Sequence, residues 1–586
     1  MLRRMRLPLL LLLTVFCVTL SITSLYAATE QDRFNKLRGE VMESIQSFEP
    51  VHATLTGVHS YDHRLPDYSS KAVKNQIKQL EGFDKNLGRI KAENLEAADV
   101  VDLALLQSDV KTAILNLKRI EAYHSSPLLY VNVAIDGLYS LVASDSTVPR
   151  ARLYAIVKRF EAIPDFFATA RKNLKKPPQI LVDEAQKRLE AAMRFYQQAA
   201  GELMKQYPDR ADEILAKSTK AREAMNDFSI YLTGLKPEDN EKVSIGREYY
   251  DQILSDEYLL PMKSDTLLFV MEEMLTQAQD DYTQYLEYVE GDHQNGKDSV
   301  FTPHSFTRQD ILDYYQWEID QVRIFLSERD LITIPTDIAA VHVIETPPYL
   351  REVVSGTQYL PPFGIDDTPA LLFIRPIPDP LDERQLAARY RYVHRRGFTG
   401  AVVHDIFPGR HLEFQQAGLN DSPVRRWQRN SMMIDGWGLF CDQVAYEAGI
   451  HGAEDPAVWL AILGDIRLNA ALGVADIRLH TGQLSFEQAL DWLAQTVNGE
   501  TETEKQYLRQ RLLQAVTDPA SCVVPLLGKR EIERLRDAAL LTDEMFFSER
   551  ETYDAILAQG AIPPALLWQA LDLTMPVDDA SAEIAE

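Results

Sequence analysis

The sequence predicts a mainly α-helical protein with one small β-sheet, and three observations support this fold class. Apolar residues recur at alternating intervals of three and four over long stretches of the 586-residue chain, which is the period of an amphipathic helix. Between Leu331 and Pro380, prolines cluster and short β-prone runs replace that period. The composition, 46% hydrophobic and 25% charged, fits a folded chain of two or more domains or one large helical one.

The N-terminus has the pattern of a secretory signal. Three arginines within residues 1–6 precede an apolar run from Leu7 to Leu20, and small residues follow at Ala27 and Ala28. We therefore predict a signal peptide at 1–27 and an exported protein of the periplasm or cell envelope. An uncleaved anchor is the alternative, because the apolar stretch approaches the ~20 residues that span a bilayer. No later segment is expected to span a membrane.

The charge and the cysteines limit the classes of partner and cofactor. A formal net charge of −26 argues against nucleic acid and anionic membranes as partners. After removal of a signal peptide, Cys441 and Cys522 remain. Two buried thiols are favoured over a disulfide bridge between them, and no CxxC spacing supports a cysteine-ligated zinc.

Two apolar stripes define an N-terminal helical region, placed at residues 28–240. Each stripe falls on one helix face and is expected to face the core. The stripes are Leu103, Leu106, Val110, Ala113, Leu117 and Ile120, and then Val182, Ala185, Leu189, Ala192, Tyr196 and Ala199. Pro177 and Pro178 separate two helices, because proline cannot continue a helix. A polar linker at 233–244 leads into a second region, 241–586.

The predicted strands are Val341–Ile344 and Ala370–Ile374, which lie shortly before a chemically unusual stretch. The edge of a small sheet can pair with an extended peptide. The alternative is a sheet that only packs on the helices.

The unusual stretch runs from Ala401 to Glu413 and is expected to form a motif helix near 401–416. A zinc hydrolase helix usually carries two histidines four positions apart. Here the fourth position after His404 is Pro408, and the next histidine, His411, lies two turns on, about 10.5 Å along an ideal axis. A bend at Pro408-Gly409 could shorten that distance. Arg410 cannot ligate a metal, because its guanidinium stays protonated.

The segments His404-Asp405-Ile406-Phe407-Pro408-Gly409-Arg410-His411 and Asp435-Gly436-Trp437-Gly438-Leu439-Phe440 resemble the bacterial domain-of-unknown-function 885 family. That family usually reads His-Glu-x-x-Pro-Gly-His and then Glu-Gly-Trp-Ala-Leu-Tyr. Further likeness at 53–67, 244–250, 474–482, 527–529 and 559–563 extends over nearly all of the mature chain.

The resemblance implies a gluzincin-peptidase-like fold and a set of site residues. His404, His411 and Asp435 would ligate Zn²⁺, and Asp405 would act as the general base. His480 would contact an oxyanion or substrate, with a helix-buried histidine as the alternative. Arg410 and Trp437 would contact substrate, although Trp437 also suits a core position.

The chain departs from the family pattern where the chemistry would take place. Asp405 and Asp435 replace glutamates, and Arg410 replaces the second histidine. A cation at Arg410 would repel Zn²⁺ and could pair with either carboxylate. Two hypotheses follow: a metal-free relative that binds a peptide or protein, which we favour, and an active zinc-dependent peptidase with an atypical ligand set.

Overall fold

The fold is mainly α-helical, as the sequence predicts. The computed structural model describes residues 29–143, 148–238, 243–292, 308–354, 356–362, 369–376, 398–450, 456–499, 501–541 and 548–575. The predicted signal segment at 1–27 and the acidic C-terminal end lie outside these residues.

The helices before residue 260 begin and end close to the predicted breaks. Both apolar stripes are confirmed, because most of the first and all of the second are buried. These helices are α1 Glu30–Phe48, α2 Pro50–Leu55, α3 Ser70–Leu87, α4 Ala97–Leu115, α5 Ala122–Ser125, α6 Pro127–Val142, α7 Arg150–Asn173, α8 Gln179–Gln206, α9 Ala211–Thr233 and α10 Arg247–Asp256.

The later helices surround the sheet and the motif stretch. They are α11 Ser264–Asp292, α12 Arg308–Glu328, α13 Phe398–Asp405, α14 Arg410–Gly418, α15 Pro423–Trp427, α16 Ser431–Glu447, α17 Pro456–His480, α18 Phe486–Thr496, α19 Glu502–Thr517, α20 Val524–Leu541, α21 Glu549–Leu557 and α22 Pro564–Ala570. The stretch near 401–416 that was predicted as the motif helix forms two helices, α13 and α14, with residues 406–409 between them.

The sheet has three strands in the order β1-β3-β2: β1 Val341–Glu345, β2 Gln358–Leu360 and β3 Ala370–Ile374. The two predicted strands are confirmed and pair in parallel. The third strand, β2, pairs antiparallel with β3 and is too short for a periodicity signal. Among the described residues, β1 pairs with a strand on one side only, and the N–H of Ala339 just before it donates to Gln415 of α14.

Two hydrophobic clusters form the interior, and each combines early and late parts of the chain. One packs α6–α9 against α11, α17 and α19. The other packs α1, α3 and α4 against the sheet, α13, α16 and α20–α22. The division at residue 240 stays a sequence-based prediction, and the clusters do not follow it.

Helices α16 and α20 cross with their backbones in direct contact. A Cβ atom added at Gly436 would lie 2.5 Å from the Gly528 carbonyl carbon, and one at Gly528 would lie 1.9 Å from the Met432 oxygen. Glycine is therefore needed at both positions. This crossing fixes the helix that carries Asp435, Trp437 and Asp442.

One described helix, Val458–His480 within α17, is long and apolar enough to cross a membrane by length and composition. On those two criteria the expectation that no later segment would qualify is not met. The C-terminal half of this helix is buried against other helices, as in a core helix, with Ala471, Val474 and Ile477 fully covered.

Candidate functional site

The motif stretch forms two helices joined by a tight turn. Helix α13 ends at Asp405, the Phe407–Pro408 peptide bond is cis, and α14 begins at Arg410. A Cβ atom at Gly409 would lie 1.9 Å from the His404 carbonyl oxygen, so only glycine fits. The turn therefore ends one helix before Arg410 and His411 and starts another with them.

His404 points toward α16 and pairs there with Asp442. Its Nδ1 donates to Asp442 Oδ2 at 2.8 Å. The ring lies against Gly438, where an added Cβ would be 2.6 Å from His404 Cε1. Burial alone would lower the pKa of His404, but the neighbouring Asp442 carboxylate outweighs it and raises the pKa overall.

Arg410 lies between Asp405 and Asp435. Its Nη2 donates to Asp435 Oδ1 at 2.5 Å, and its Nη1 lies 3.5 Å from Asp405 Oδ1. Burial raises the pKa of Asp405, while Arg410 and His404 act in the opposite direction. The centre of the site therefore holds a guanidinium between two carboxylates.

His411 turns away from this centre and toward the sheet. Tyr359 donates its hydroxyl to His411 Nδ1 at 2.8 Å, and His411 Nε2 donates to the Ala339 carbonyl oxygen at 3.0 Å. The imidazole is fully buried, and burial lowers its pKa to about 4. Both ring nitrogens are thus engaged in holding α14 against the sheet.

The predicted ligand set of His404, His411 and Asp435 is therefore not assembled. Zinc needs three or four neutral or anionic donors around one point. Among the described residues, no group of three or more His, Cys, Asp or Glu side chains could hold a metal ion. The residues present do not fit Zn²⁺, because a guanidinium occupies the central position and one predicted donor faces elsewhere.

His480 lies in a buried position on α17, beside Asp476 at 3.7 Å, and its predicted catalytic role stays a prediction. It is fully buried, donates from Nε2 to the Ala515 carbonyl oxygen at 2.9 Å and stacks on Tyr250. It lies on α17 fifteen residues after Asp465, or ~22 Å along the helix axis, whereas Asp465 is close enough to act on His404 and Asp442. The buried-histidine alternative is the one that the contacts support.

Trp437 is a core residue rather than a substrate contact. Only 1% of it is exposed, and its indole nitrogen donates to the Pro408 carbonyl oxygen at 2.9 Å. Its ring packs against Phe440 and Tyr553. The Trp437 hydrogen bond thus links α16 to the turn at Pro408. The remaining expectation for the cysteines is confirmed, since Cys441 and Cys522 are separate buried thiols.

A cavity of about 900 Å³ lies on the other side of α14. Its walls include the residues that enter β1, the exposed His342 on that strand, the α14 side chains Phe414 and Gln415, and Arg429. Arg429 stacks over the Phe414 ring at 4.5 Å. An edge strand therefore borders a groove large enough for several residues of another chain.

A second cavity of about 560 Å³ adjoins the first and shares Trp427 and Arg429 with it. Its wall is acidic. Burial raises the pKa of Glu49 and Asp109 to about 7, of Glu257 to about 8 and of Asp518 to about 6. The Asp435 carboxylate adds to the raised pKa of Asp518.

Sequence reasoning missed Asp442 and Glu413. Asp435, Gly438 and Asp442 follow each other at intervals of three and four, so one face of α16 carries both carboxylates and the glycine between them. That spacing was a usable signal. Glu413, which is 2% exposed and buried one turn after Arg410 on α14, had no comparable signal in the sequence.

The protein is thus a large helical fold with a cavity at the start of strand β1. The tight turn at Gly409 and the Arg410–Asp435 ion pair lie at the start of α14, the helix that forms part of its wall. Residues 50–571 match the family described as "Bacterial protein of unknown function (DUF885)". The match covers most of the chain, which therefore belongs to this family.

Two solved structures share the fold. One is described as a "putative lipoprotein of unknown function" from Shewanella oneidensis, with 17% identity, a TM-score of 0.70, and coverage of 92% of this chain and 99% of that one. The other is a "putative lipoprotein" from Colwellia psychrerythraea, with 16% identity, a TM-score of 0.74, and coverage of 93% and 99%. No curated protein matches the chain.

Proposed function

We propose that this protein is an exported, metal-free relative of zinc peptidases that binds an extended peptide segment of another protein without hydrolysing it. The observation that carries the proposal is the position of Arg410, whose guanidinium bridges Asp435 and Asp405. Export to the cell envelope is supported by the signal-like N-terminus and by the lipoprotein descriptions of the two structural neighbours.

The charge of Arg410 opposes a metal at this position. A guanidinium stays protonated at any physiological pH and cannot donate a lone pair. It also satisfies the two carboxylates that a divalent cation would need. Both ring nitrogens of His411 are already hydrogen-bonded, one to Tyr359 and the other to Ala339.

The groove beside α14 supports peptide binding. An extended peptide can add to the free edge of a sheet through main-chain hydrogen bonds, and pockets along the edge then select side chains. Here β1 is an edge strand, and the residues at its start line the cavity of about 900 Å³. Apolar contact would come from Phe414 and Trp427 on the opposite wall.

A second candidate function, zinc-dependent hydrolysis, is favoured by one observation. His404 is oriented by the Asp442 carboxylate at 2.8 Å. Carboxylate-oriented imidazoles are common among metal-binding and general-base histidines. This pair fits the peptide-binding proposal as a remnant of an older site and fits the second candidate as a working part.

Metal analysis of the purified mature protein, dialysed against Zn²⁺, separates the two functions. We expect well under one Zn²⁺ per chain and no cleavage of a peptide library, together with measurable binding of library members. The informative variant carries Asp405→Glu, Arg410→His and Asp435→Glu, which restores the family pattern. Its matched control keeps both glutamates and Arg410.

The proposal predicts that only the variant with Arg410→His gains Zn²⁺, because that change alone removes the central cation. Stoichiometric Zn²⁺ in the unaltered protein that disappears in His404→Ala would overturn it. So would cleavage of a library peptide that a chelator abolishes. Absence of any peptide binding by the unaltered protein would reject the binding function itself.

A further inference from the structure

We propose that Arg410 acts as a built-in competitor for a cationic group of the ligand. On binding, an ammonium or guanidinium group of the ligand takes the place between Asp405 and Asp435, and the Arg410 side chain turns to Glu413. This inference rests on the proposed peptide-binding function for its ligand, and it names that ligand as a segment with a lysine, an arginine or a free N-terminus.

The first support is the charge around Arg410. Hydrogen bonds and ion pairs set Arg410 and His404 against three carboxylates, which are those of Asp405, Asp435 and Asp442. The surroundings thus favour a cation at this point, and Arg410 supplies one from within the chain.

The second support is independent of that cluster and comes from Glu413. This side chain is only 2% exposed, yet among the described residues its Oε1 atom has no hydrogen-bond partner. A buried carboxyl oxygen without a hydrogen-bond partner is unfavourable. Arg410 and Glu413 are three positions apart on α14, where side chains can meet.

Arg410 has an unsatisfied atom of its own. Its Nε is buried without a hydrogen-bond partner in the part of the chain that the structure describes. A turn of the guanidinium toward Glu413 would give Glu413 Oε1 a hydrogen-bond donor, while the ligand's cation takes over the contacts with Asp435 and Asp405. The structure therefore contains both a place from which Arg410 can leave and a place that can receive it.

The exchange is open to a ligand from outside. About 35% of the Arg410 side chain is exposed, and so is 31% of the Asp435 side chain. Asp518 lines the acidic cavity of about 560 Å³, and the Asp435 carboxylate contributes to the raised pKa of Asp518. A cationic ligand would replace one ion pair by another, whereas a neutral ligand would leave two carboxylates without a partner.

The experiment measures peptide affinity by isothermal titration calorimetry. The probes are an end-blocked pentapeptide of alanines with a central lysine and the same peptide with norleucine in that place. The variants are Arg410→Met and Glu413→Gln. The matched controls are Arg150→Met and Asp209→Asn, which break an exposed ion pair of 3.1 Å between α7 and the loop before α9.

We expect the lysine peptide to bind the unaltered protein more tightly than the norleucine peptide. Arg410→Met should tighten the lysine peptide about 10-fold and leave the norleucine peptide unchanged, because the internal competitor is gone. Glu413→Gln should weaken the lysine peptide, because the receiving carboxylate is lost. Both controls should change neither affinity.

Equal affinity for both peptides in the unaltered protein and in Arg410→Met would overturn the inference while leaving peptide binding intact. A loss of lysine-peptide binding in Arg410→Met would also overturn it. If Arg410→Met does not fold, the Glu413→Gln result decides. Titration with n-butylguanidinium alone separates the two claims: binding of this small cation to Arg410→Met without binding of any peptide rejects the proposed function and supports the cation site.

Discussion

Arg410 Nη2, at the start of α14, lies 2.5 Å from Asp435 Oδ1 on α16. The two residues are 25 positions apart in the chain and come from different helices. Their contact sets the position of the Arg410 guanidinium at the centre of the site. It also joins α14 to α16, the helix that is in backbone contact with α20 at Gly436 and Gly528.

A double-mutant cycle measures this contact directly. We expect Arg410→Met and Asp435→Asn to be coupled by about 1 kcal/mol in the free energy of unfolding, since the pair is about one-third exposed and water weakens it. Urea denaturation of both single variants and the double variant gives the value. A coupling indistinguishable from that of the exposed Arg150–Asp209 pair would contradict the importance assigned to the contact.

Gly438→Ala tests the position of His404. The added Cβ would lie 2.6 Å from the imidazole, so the ring must leave Asp442 or α16 must shift. We expect a destabilisation of about 1–3 kcal/mol, the range typical of overpacking. Gly464→Ala is the matched helix control, because its nearest contact would be an ordinary 3.5 Å from Tyr282. Equal stability of the two variants would show that His404 moves freely.

His480→Gln tests the role of a buried histidine far from the site. Burial lowers the pKa of His480 from 6.5 to about 4. The unfolded chain therefore takes up a proton below pH 6.5 while the folded chain does not, and stability falls as the pH drops from 6.5 toward 4. In the variant, this loss should shrink by on the order of 2 kcal/mol. Peptide affinity should not change, and a change would contradict the purely structural role.

Glu257→Gln tests the acidic cavity. Burial, with added repulsion from Asp518 and Asp109, raises the pKa of Glu257 from 4.5 to about 8. The folded protein therefore holds this proton more tightly than the unfolded chain. Its contribution to stability is complete below pH 4.5 and is lost as the pH rises through about 8.

The Gln variant does not titrate at this position. Its free energy of unfolding at pH 9 should therefore exceed that of the unaltered protein by at least ~1 kcal/mol. Thermal unfolding monitored by circular dichroism between pH 5 and 9 measures the difference. Parallel pH profiles of the two proteins would show that water in the cavity keeps Glu257 ionised.

Local sequence patterns were sufficient for most of the fold. The stripe from Val182 to Ala199 places a helix face, and that entire face is buried. Ala370–Ile374 reads as a strand because its residues are apolar and β-prone, and it is the buried centre of the sheet. These features depend on neighbours three to five positions apart, which a single sequence displays.

The candidate site depended on contacts that no local pattern displays. Pro408 and Gly409 indicated a bend, but the tightness of the turn is seen only in how closely Gly409 approaches the His404 carbonyl oxygen. His411 was assigned to the metal by its spacing from His404, whereas its partners Tyr359 and Ala339 lie 52 and 72 positions away. The role of His480 was assigned from the family resemblance, and its buried contacts on α17 were not visible in the sequence.

The composition of the two hydrophobic clusters constrains how the protein can be made. The walls of the candidate site are completed by α1, α3 and α4, which leave the ribosome first, and by α20–α22, which leave it last. Neither set of helices can bury its apolar face until the other arrives, so the site forms only from a finished chain. Contacts this distant in sequence form slowly and leave apolar surface exposed meanwhile.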